Sequence, residues 1–415
     1  MSSTLVINSL KRTFPALKYR NFRYFWFGQC ISLIGTWMQI TAQQWLVYTM
    51  TKSALLLGLL GVVQFGPIMC LSLFAGVFVD RYNKKLILIF TQISSMIQAL
   101  ALAILVWSGH IVYWEVLVLA ALLGLANTLD MPARQSFMPD LVEKKDLRSA
   151  IGLNMAVFNS ARIIGPGLSA LLMARFSAGL LFFLNGISFI PVIIYLYQIN
   201  SKFTVIKKVE KKVFAEILEG LKHIRHSSTM LSTVFSLFVL SIFILNFNVI
   251  LPIYSVEVLN QGVRGYGFLM SATGAGSLIG ALLIASKGRG KPKIQMLFAC
   301  AFIASTLLVI LNFIHSLVLA IGLLTIIGFF TLIVMNTANM ILQLNSSDEF
   351  RGRVMSVYSF AFAGTIPIGS IFAGSITEKF GSGMGFLICG VLGGFFIVLI
   401  AINFLFKKRV QQTAV

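Results

Sequence analysis

The sequence predicts an all-α membrane protein with twelve transmembrane helices in two pseudo-symmetric six-helix bundles. Of the 415 residues, 58% are hydrophobic and only 11% are charged, more apolar surface than a soluble fold could keep from water. Apolar stretches of about 20 residues, the length that crosses a bilayer, recur along the whole chain. Features of the first half also recur in the second, which indicates two related bundles.

Short polar connections separate twelve apolar stretches, and each stretch is long enough to be a membrane span. The predicted spans are 22–50, 54–79, 86–107, 112–137, 149–175, 180–199, 229–255, 265–286, 294–314, 317–342, 354–377 and 384–406. The domain boundaries follow from them. We expect a cytoplasmic amino-terminal segment 1–21, a bundle 22–199, a basic linker 200–228, a second bundle 229–406 and a cytoplasmic tail 407–415.

Three features of the first half return in the second half. They are the pair Asn127-Thr128, repeated as Asn336-Thr337, the pair Leu147-Arg148, repeated as Phe350-Arg351, and Pro166, repeated as Pro367. Internal repeats of this kind are typical of proteins in which a central site forms between two halves that rock. Between the halves, residues 213–225 of the linker place apolar side chains three and four apart, which predicts an interfacial helix on anionic lipid.

The net charge of +20 could indicate a nucleic-acid partner, so the positions of the 33 basic residues must decide. If the amino terminus is cytoplasmic, nearly all of them fall in inner segments. The exceptions are Lys52, Arg162, Arg175, Arg264 and Lys379. This asymmetry is the positive-inside pattern, so we expect both termini in the cytoplasm and no nucleic-acid partner.

Residues for catalysis or cofactor binding do not stand out. Cys30, Cys70, Cys300 and Cys389 lie within predicted spans without a C-x-x-C pair, and we interpret them as packing residues. The sequence has no nucleotide-binding loop, no metal-ligand cluster and no nucleophile motif. We therefore expect no metal, no cofactor and no enzymatic activity, and we see no removable signal peptide.

The connection after the second span combines a glycine, an acid and a basic cluster, namely Gly76, Asp80, Arg81, Lys84 and Lys85. A carboxylate beside three cations at the inner end of a membrane helix is costly if buried and mobile if free. It predicts a latch that holds one half of the protein against the other.

With four further stretches, this loop makes the chain similar to the major facilitator superfamily, in the bacterial branch of the enterobactin exporter and macrolide efflux proteins. The five stretches are 32–39, 76–85, 130–137, 150–166 and 351–355. The resemblance covers nearly the whole chain. It implies the major facilitator fold, a multi-pass protein of the bacterial inner membrane, and transport of a small molecule by alternating access. We also expect a monomer.

The resemblance implies that Asp80 meets the amino end of the eleventh helix when the inner gate is shut, and that Gly76 lets the two helices approach. The same gating motif includes Arg81, Lys84, Lys85, Arg134, Arg351 and Arg353. An alternative for Arg81, Lys84 and Lys85 is that they only enforce topology, and for the lysines we favour it. Gly152, Gly165 and Pro166 resemble the helix-bend motif of the fifth span, which among relatives goes with export.

Proton coupling has to use charges other than the arginine of the family's fourth span, because Ala120 occupies that position. The candidates are Asp130, Arg162 and Glu115. We hypothesise that Asp130 carries the proton and that Arg162, at a similar depth on the next span, tunes its protonation. The alternative is a permanent salt bridge between the two helices. Glu115 fits an interfacial position at the outer boundary better.

The substrate path is predicted from amide and aromatic side chains. Candidates for a cavity lining are Gln29, Trp37, Gln39, Gln43 and Gln44 in the first span, with Asn246 and Asn248 in the seventh. Each could instead be a helix-packing contact. We expect a proton-coupled exporter of a siderophore or drug-like compound, as in multidrug efflux. The alternatives are an importer or uncoupled facilitator, a non-transporting membrane scaffold or sensor, and, less favoured, a membrane enzyme.

Overall fold

The computed structural model describes residues 15–199, 213–286, 292–347 and 350–413, and they are almost entirely helical. The helices are α1 Arg20–Thr51, α2 Ala54–Arg81, α3 Lys84–Ser108, α4 Tyr113–Phe137, α5 Leu147–Met173, α6 Ala178–Gln198, α7 Val213–Arg225, α8 Ser228–Val239, α9 Phe247–Glu257, α10 Gly262–Ser286, α11 Ile294–Leu311, α12 Leu317–Leu344, α13 Arg351–Phe362 and α14 Ile366–Thr413.

Within the described ranges, ten segments are long and apolar enough to cross a membrane. They are Ala54–Ser72, Lys84–Ser108, Tyr113–Asp140, Ser149–Met173, Ala178–Gln198, Ser228–Glu257, Gly262–Ile284, Ile294–Leu311, Leu317–Leu344 and Arg353–Lys407. Large apolar side chains such as Phe90 and Val318 are exposed, whereas amides such as Gln39 and Asn185 are buried. An apolar exterior around a partly polar interior suits lipid as the solvent, so the prediction of an all-helical membrane protein is confirmed.

The helices form two compact units. One contains Met1–Gln43 and Leu71–Val209, and the other contains Gln44–Cys70 and Glu210–Val415. The core of the first unit includes Phe22, Phe25, Leu88, Phe137 and Leu196. The core of the second includes Tyr254, Tyr266, Leu297, Leu324 and Phe386. The segment Gln44–Cys70, which contains the end of α1 and most of α2, thus packs with helices from the second half of the sequence.

Two of the predicted spans are interrupted helices. The seventh consists of α8, a π-helical turn at Leu240–Ile244, and α9. The eleventh consists of α13, a break at 363–365, and the first part of α14. The eleventh and twelfth predicted spans meet at Gly381, whose φ of 84° and ψ of 166° are not helical and are accessible chiefly to glycine, so α14 consists of two helices joined at this residue.

The residues of the predicted linker helix form α7, which packs on the start of α13. Glu219 forms an ion pair with Arg353, and the ring of His223 stacks on that of Phe350 with centroids 4.8 Å apart. Gly220 permits this close packing, since a Cβ there would lie 3.0 Å from Cβ of Arg353. Protein contacts therefore hold α7, and its predicted place on the membrane surface stays a prediction.

Glycines bring α10 and α12 into close contact. A Cβ built on Gly276 would overlap the carbonyl oxygen of Thr325, and a Cβ on Gly328 would overlap that of Thr273. Small residues of this kind let membrane helices pack backbone against backbone, where dispersion attraction is greatest.

We expect Gly276→Ala to lower the stability of the protein by about 1–3 kcal/mol, because the added methyl overpacks the contact between α10 and α12. Gly322→Ala, on α12 with nothing within 4 Å of its Cβ position, is the matched control and should melt at or above the wild-type temperature. Thermal unfolding in detergent measures both, and equal melting temperatures for the two variants would contradict the packing argument.

Candidate functional site

A buried carboxylate, Asp130, is bound from two helices of the first unit. It lies on α4 and accepts hydrogen bonds at Oδ1 from Thr91 Oγ1 and Gln92 Nε2 of α3, each 2.8 Å long. At Oδ2 it accepts from Arg134 Nε at 3.1 Å and Arg134 Nη2 at 2.6 Å. The side chain of Asp130 is 13% exposed, and a charge so buried requires such partners.

The guanidinium on Asp130 comes from one turn along the same helix. Arg134 is four residues beyond Asp130, a spacing that places both side chains on one face of α4. It also lies over the ring of Phe25, 6.0 Å from the centroid, and its Nη1 has no hydrogen-bond partner in the part of the chain that the structure describes. The ion pair is therefore built within α4 and only partly satisfies the arginine.

The ion-pair partner of Asp130 in the structure is Arg134. Arg162, on α5, places its guanidinium 5.8 Å from the ring centroid of Trp37 on α1. The role of Arg162 beside Asp130 stays a prediction. Arg162 stands at a close contact of α5 with α1, since a Cβ on Gly165 would lie 2.6 Å from Cβ of Trp37.

The other members of the predicted helix-bend motif behave differently from Gly165. Pro166 lies inside α5, which continues to Met173. Gly152 has open space around its Cβ position, with nothing within 4 Å. Close approach of α5 to a neighbour is thus built at Gly165 and not at Gly152.

Three buried amides connect α1, α3 and α6. Gln39 Nε2 donates to Gln98 Oε1 at 2.9 Å, and Asn185 Nδ2 donates to Gln39 Oε1 at 2.6 Å. Ser188 Oγ adds a hydrogen bond to Asn185 Oδ1 at 3.1 Å. Gln39, predicted as a cavity residue, therefore uses its amide to hold three helices together.

Gln29 and Gln43 are different, although they lie on the same helix. Each is 1% exposed, and neither amide group has a hydrogen-bond partner among the described residues. They are about four turns apart on α1, so they share a helix face. Buried amides without partners cost free energy, which makes these two the better candidates for contact with solvent or a bound molecule. Gln44, in the second unit, is also buried, and its Oε1 likewise has no described partner.

In the second unit, side chains of the seventh predicted span bond to backbone carbonyls at both helix breaks. Ser241 Oγ donates to the carbonyl of Phe362 at 2.7 Å, and Asn246 Nδ2 donates to that of Ile242 at 2.7 Å. A Cβ on Gly369 would lie 2.9 Å from Asn246 Oδ1, so α14 passes directly by the break. Asn246 thus supports backbone, while Asn248 Oδ1 is buried without a partner among the described residues.

The cations of the predicted gating loop contact helix ends. Lys84 Nζ donates to the carbonyl of Ser136 at 2.8 Å, and Lys85 Nζ donates to that of Ile199 at 2.8 Å. Cations stabilise carboxyl ends of helices in this way, and Arg81 is exposed. Lys84 also lies 3.4 Å from Asp140. The positions Gly76, Asp80 and Arg351 are helical, but their surroundings lie outside the described part of the structure.

Glu115 caps its own helix. Its Oε2 accepts a hydrogen bond from the backbone N–H of Val112 at 3.1 Å, immediately before α4. An acid in the first turn also favours the helix dipole. This contact fits the interfacial position that the sequence indicated for Glu115.

A major facilitator family model described as "Transmembrane secretion effector" matches residues 11–414. The chain is 25% identical to the staphyloferrin A transporter of Staphylococcus aureus, with 89% of this chain and 92% of the relative covered. It is 22% identical to macrolide efflux protein A of Streptococcus pyogenes, over 93% and 96%. It is 25% identical to the multidrug efflux pump Tap of Mycolicibacterium fortuitum, over 85% and 88%.

Solved structures of transporters share the fold at low sequence identity. A bacterial homologue of the human lysosomal transporter Spinster, in an inward-facing and unoccupied conformation, matches with a TM-score of 0.70 and 13% identity, covering 94% of this chain and 96% of that one. The nucleoside transporter NupG matches with a TM-score of 0.72 and 10% identity, over 93% and 98%.

We expect Gln39→Leu to destabilise the protein by about 1–3 kcal/mol, because Gln98 and Asn185 would be left as buried amides without their partner. Gln29→Leu is the matched control on the same helix. It removes a buried amide that bonds to no described residue and should leave stability unchanged or raised. Thermal unfolding in detergent compares them, and an equal loss in both variants would contradict the network.

Proposed function

Because the chain belongs to the major facilitator superfamily, in the family described as transmembrane secretion effectors, we propose that it exports a small organic molecule by alternating access. It is a multi-pass membrane transporter and not an enzyme. The observation that carries the proposal is the match of nearly the whole chain to relatives named for siderophore transport, macrolide efflux and multidrug efflux. We infer a siderophore or a drug-like compound as the substrate.

The proposed topology has twelve spans in the bacterial inner membrane, with both termini in the cytoplasm and a monomer as the working unit. Ten apolar segments support it directly. Helix α1, 32 residues long, supplies another span, and the segment Arg353–Lys407, 55 residues long, supplies two if the chain turns at Gly381. The six-helix repeats are then 22–199 and 229–406, joined by the linker 200–228 and flanked by 1–21 and 407–415.

Proton antiport is the proposed energy source, with Asp130 as the proton carrier. The geometry that supports this role is a nearly buried carboxylate with a single cationic partner, Arg134. Asp130 also accepts hydrogen bonds from Thr91 and Gln92 on α3, so a change of its charge would alter a contact between α3 and α4. Arg162 and Glu115 are secondary candidates. On the inner side, we propose that Asp80 latches onto the amino end of the eleventh span.

Deletion of the gene should raise the intracellular level of the exported compound and lower its level in the medium. Profiling small molecules in both compartments, under iron limitation and under antibiotic challenge, identifies the substrate class. Flux in sealed vesicles then tests the mechanism. Flux that stops when the pH gradient is dissipated supports antiport. Flux that persists indicates a facilitator, inward accumulation indicates an importer, and no flux of any profiled compound would reject transport in favour of a scaffold.

We expect Asp130→Asn to abolish flux driven by a pH gradient, because the amide cannot carry the proton, while substrate binding and membrane expression persist. Asp140→Asn, which removes an exposed carboxylate 3.4 Å from Lys84, is the matched control and should transport normally. Counterflow, in which substrate exchanges without net proton movement, should survive in Asp130→Asn. Unchanged gradient-driven flux in that variant would remove Asp130 from the coupling mechanism.

A further inference from the structure

A second carboxylate, which the sequence did not single out, lies at the amino end of α2. Glu378, on α14, accepts three hydrogen bonds at its Oε2. They come from the backbone N–H of Ala54 at 2.6 Å, the backbone N–H of Leu55 at 3.2 Å and the hydroxyl of Ser53 at 3.0 Å. All four residues belong to the second compact unit.

This contact satisfies the amino end of a helix that has no acid in its first turn. The first turn of α2 contains no acidic residue, and Ser53 Oγ accepts only the N–H of Leu56, at 3.2 Å. Free N–H groups and the dipole make a helix amino terminus attractive to an anion. Glu378 supplies that anion from a residue more than three hundred positions away along the chain, so the cap lasts only while α2 and α14 remain side by side.

Small residues hold the two helices together next to the cap. A Cβ on Gly374 would lie 2.7 Å from the carbonyl oxygen of Ala54, and a Cβ on Gly61 would lie 2.6 Å from Ser370 Oγ. Trp45 of α1 stacks on Tyr266 of α10, with centroids 6.2 Å apart. We call this set of contacts between Gln44–Cys70 and the helices of the second repeat the outer seam.

Charged and titratable side chains occupy the ends of the elements around the outer seam. They are Lys52, Glu257, Arg264, His315 and Lys379. Lys52 Nζ lies 5.0 Å from the ring centroid of Tyr48, and Lys379 Nζ lies 5.7 Å from that of Phe380. Glu257 is within electrostatic range of Glu378 and carries the same charge. Glu378 itself is exposed.

We propose that Glu378 is a positioning residue of the transport cycle: its carboxylate latches the outer seam shut by capping α2. Its negative charge attracts the N–H groups of Ala54 and Leu55, so a neutral side chain at this position would weaken the cap. This inference rests on the proposed topology, in which the amino end of α2 faces outward, and on alternating access.

Distances between spin labels on either side of the outer seam test the latch directly. The natural cysteines Cys30, Cys70, Cys300 and Cys389 are replaced by alanine, and labels are attached through Leu55→Cys and Ser375→Cys, two exposed positions on α2 and α14. Electron paramagnetic resonance then measures the fraction of separated molecules at one fixed pH. In the parent protein, which keeps Glu378, we expect the seam to be predominantly closed.

Glu378→Gln should raise the open-to-closed ratio by about threefold to tenfold, because a neutral amide attracts the N–H groups less strongly than a carboxylate does. Glu115→Gln is the matched control. It neutralises a carboxylate that caps its own helix, and it should leave the ratio unchanged. Ser53→Ala, which removes one donor to Glu378, should give an intermediate ratio.

The proposal is overturned if Glu378→Gln keeps the distances of the parent, or if Glu115→Gln changes them equally. The measurement needs neither substrate nor a proton gradient. A seam that behaves as expected in a protein with no detectable export would therefore refute the proposed function and leave the latch intact. Export by a protein whose seam distances do not change in Glu378→Gln would refute the latch alone.

Discussion

Hydrogen bonding of the backbone inside lipid is the constraint on which this structure depends. No water is available in the bilayer core, so each N–H and C=O must find its partner within the protein. Continuous helices do this by themselves, and breaks need help from side chains. At the breaks of the seventh and eleventh predicted spans, Ser241 donates to the carbonyl of Phe362 and Asn246 donates to that of Ile242. Polar residues at helix breaks therefore serve the backbone first.

The same constraint sorts the buried polar side chains into two groups. Gln39, Gln98 and Asn185 bond to one another and tie three helices together. Gln29 and Gln43 are equally buried but bond to no described residue. Amide side chains that look alike in a sequence thus differ in what they can offer a ligand, because a bound molecule would have to break existing hydrogen bonds in the first group only.

The sequence predicted correctly those features that depend only on the order of residues along the chain. Hydropathy and length predicted membrane helices, and periodicity predicted α7 with the bounds that the structure gives. Asp130 was found because an acid in an apolar span is costly. Its ion pair with Arg134, on the same helix face, was not predicted, because depth in the membrane does not say which side chains meet.

The role of Glu378 was not predicted for a related reason. This residue comes directly after a predicted span, in what the sequence indicates to be a polar connection. Its partners, Ser53 to Leu55, are remote in sequence, so only packing brings them together. One sequence signal was available. The first turn of α2 has a serine cap but no acid, whereas the first turn of α4 contains Glu115, which caps it locally. A helix without its own acid can take one from elsewhere.

A cap supplied by another helix links local chemistry to the conformation of a transporter. A cap within one helix, such as Glu115, persists in every arrangement of the bundles and cannot favour one over another. The cap from Glu378 exists only in arrangements that keep α2 beside α14. If Asp80 caps the eleventh span on the inner side, as proposed, each of the two arrangements keeps one of these caps and lacks the other. The free energies of the two arrangements then stay close, and a proton or a substrate molecule that binds one of them slightly better is enough to shift the population.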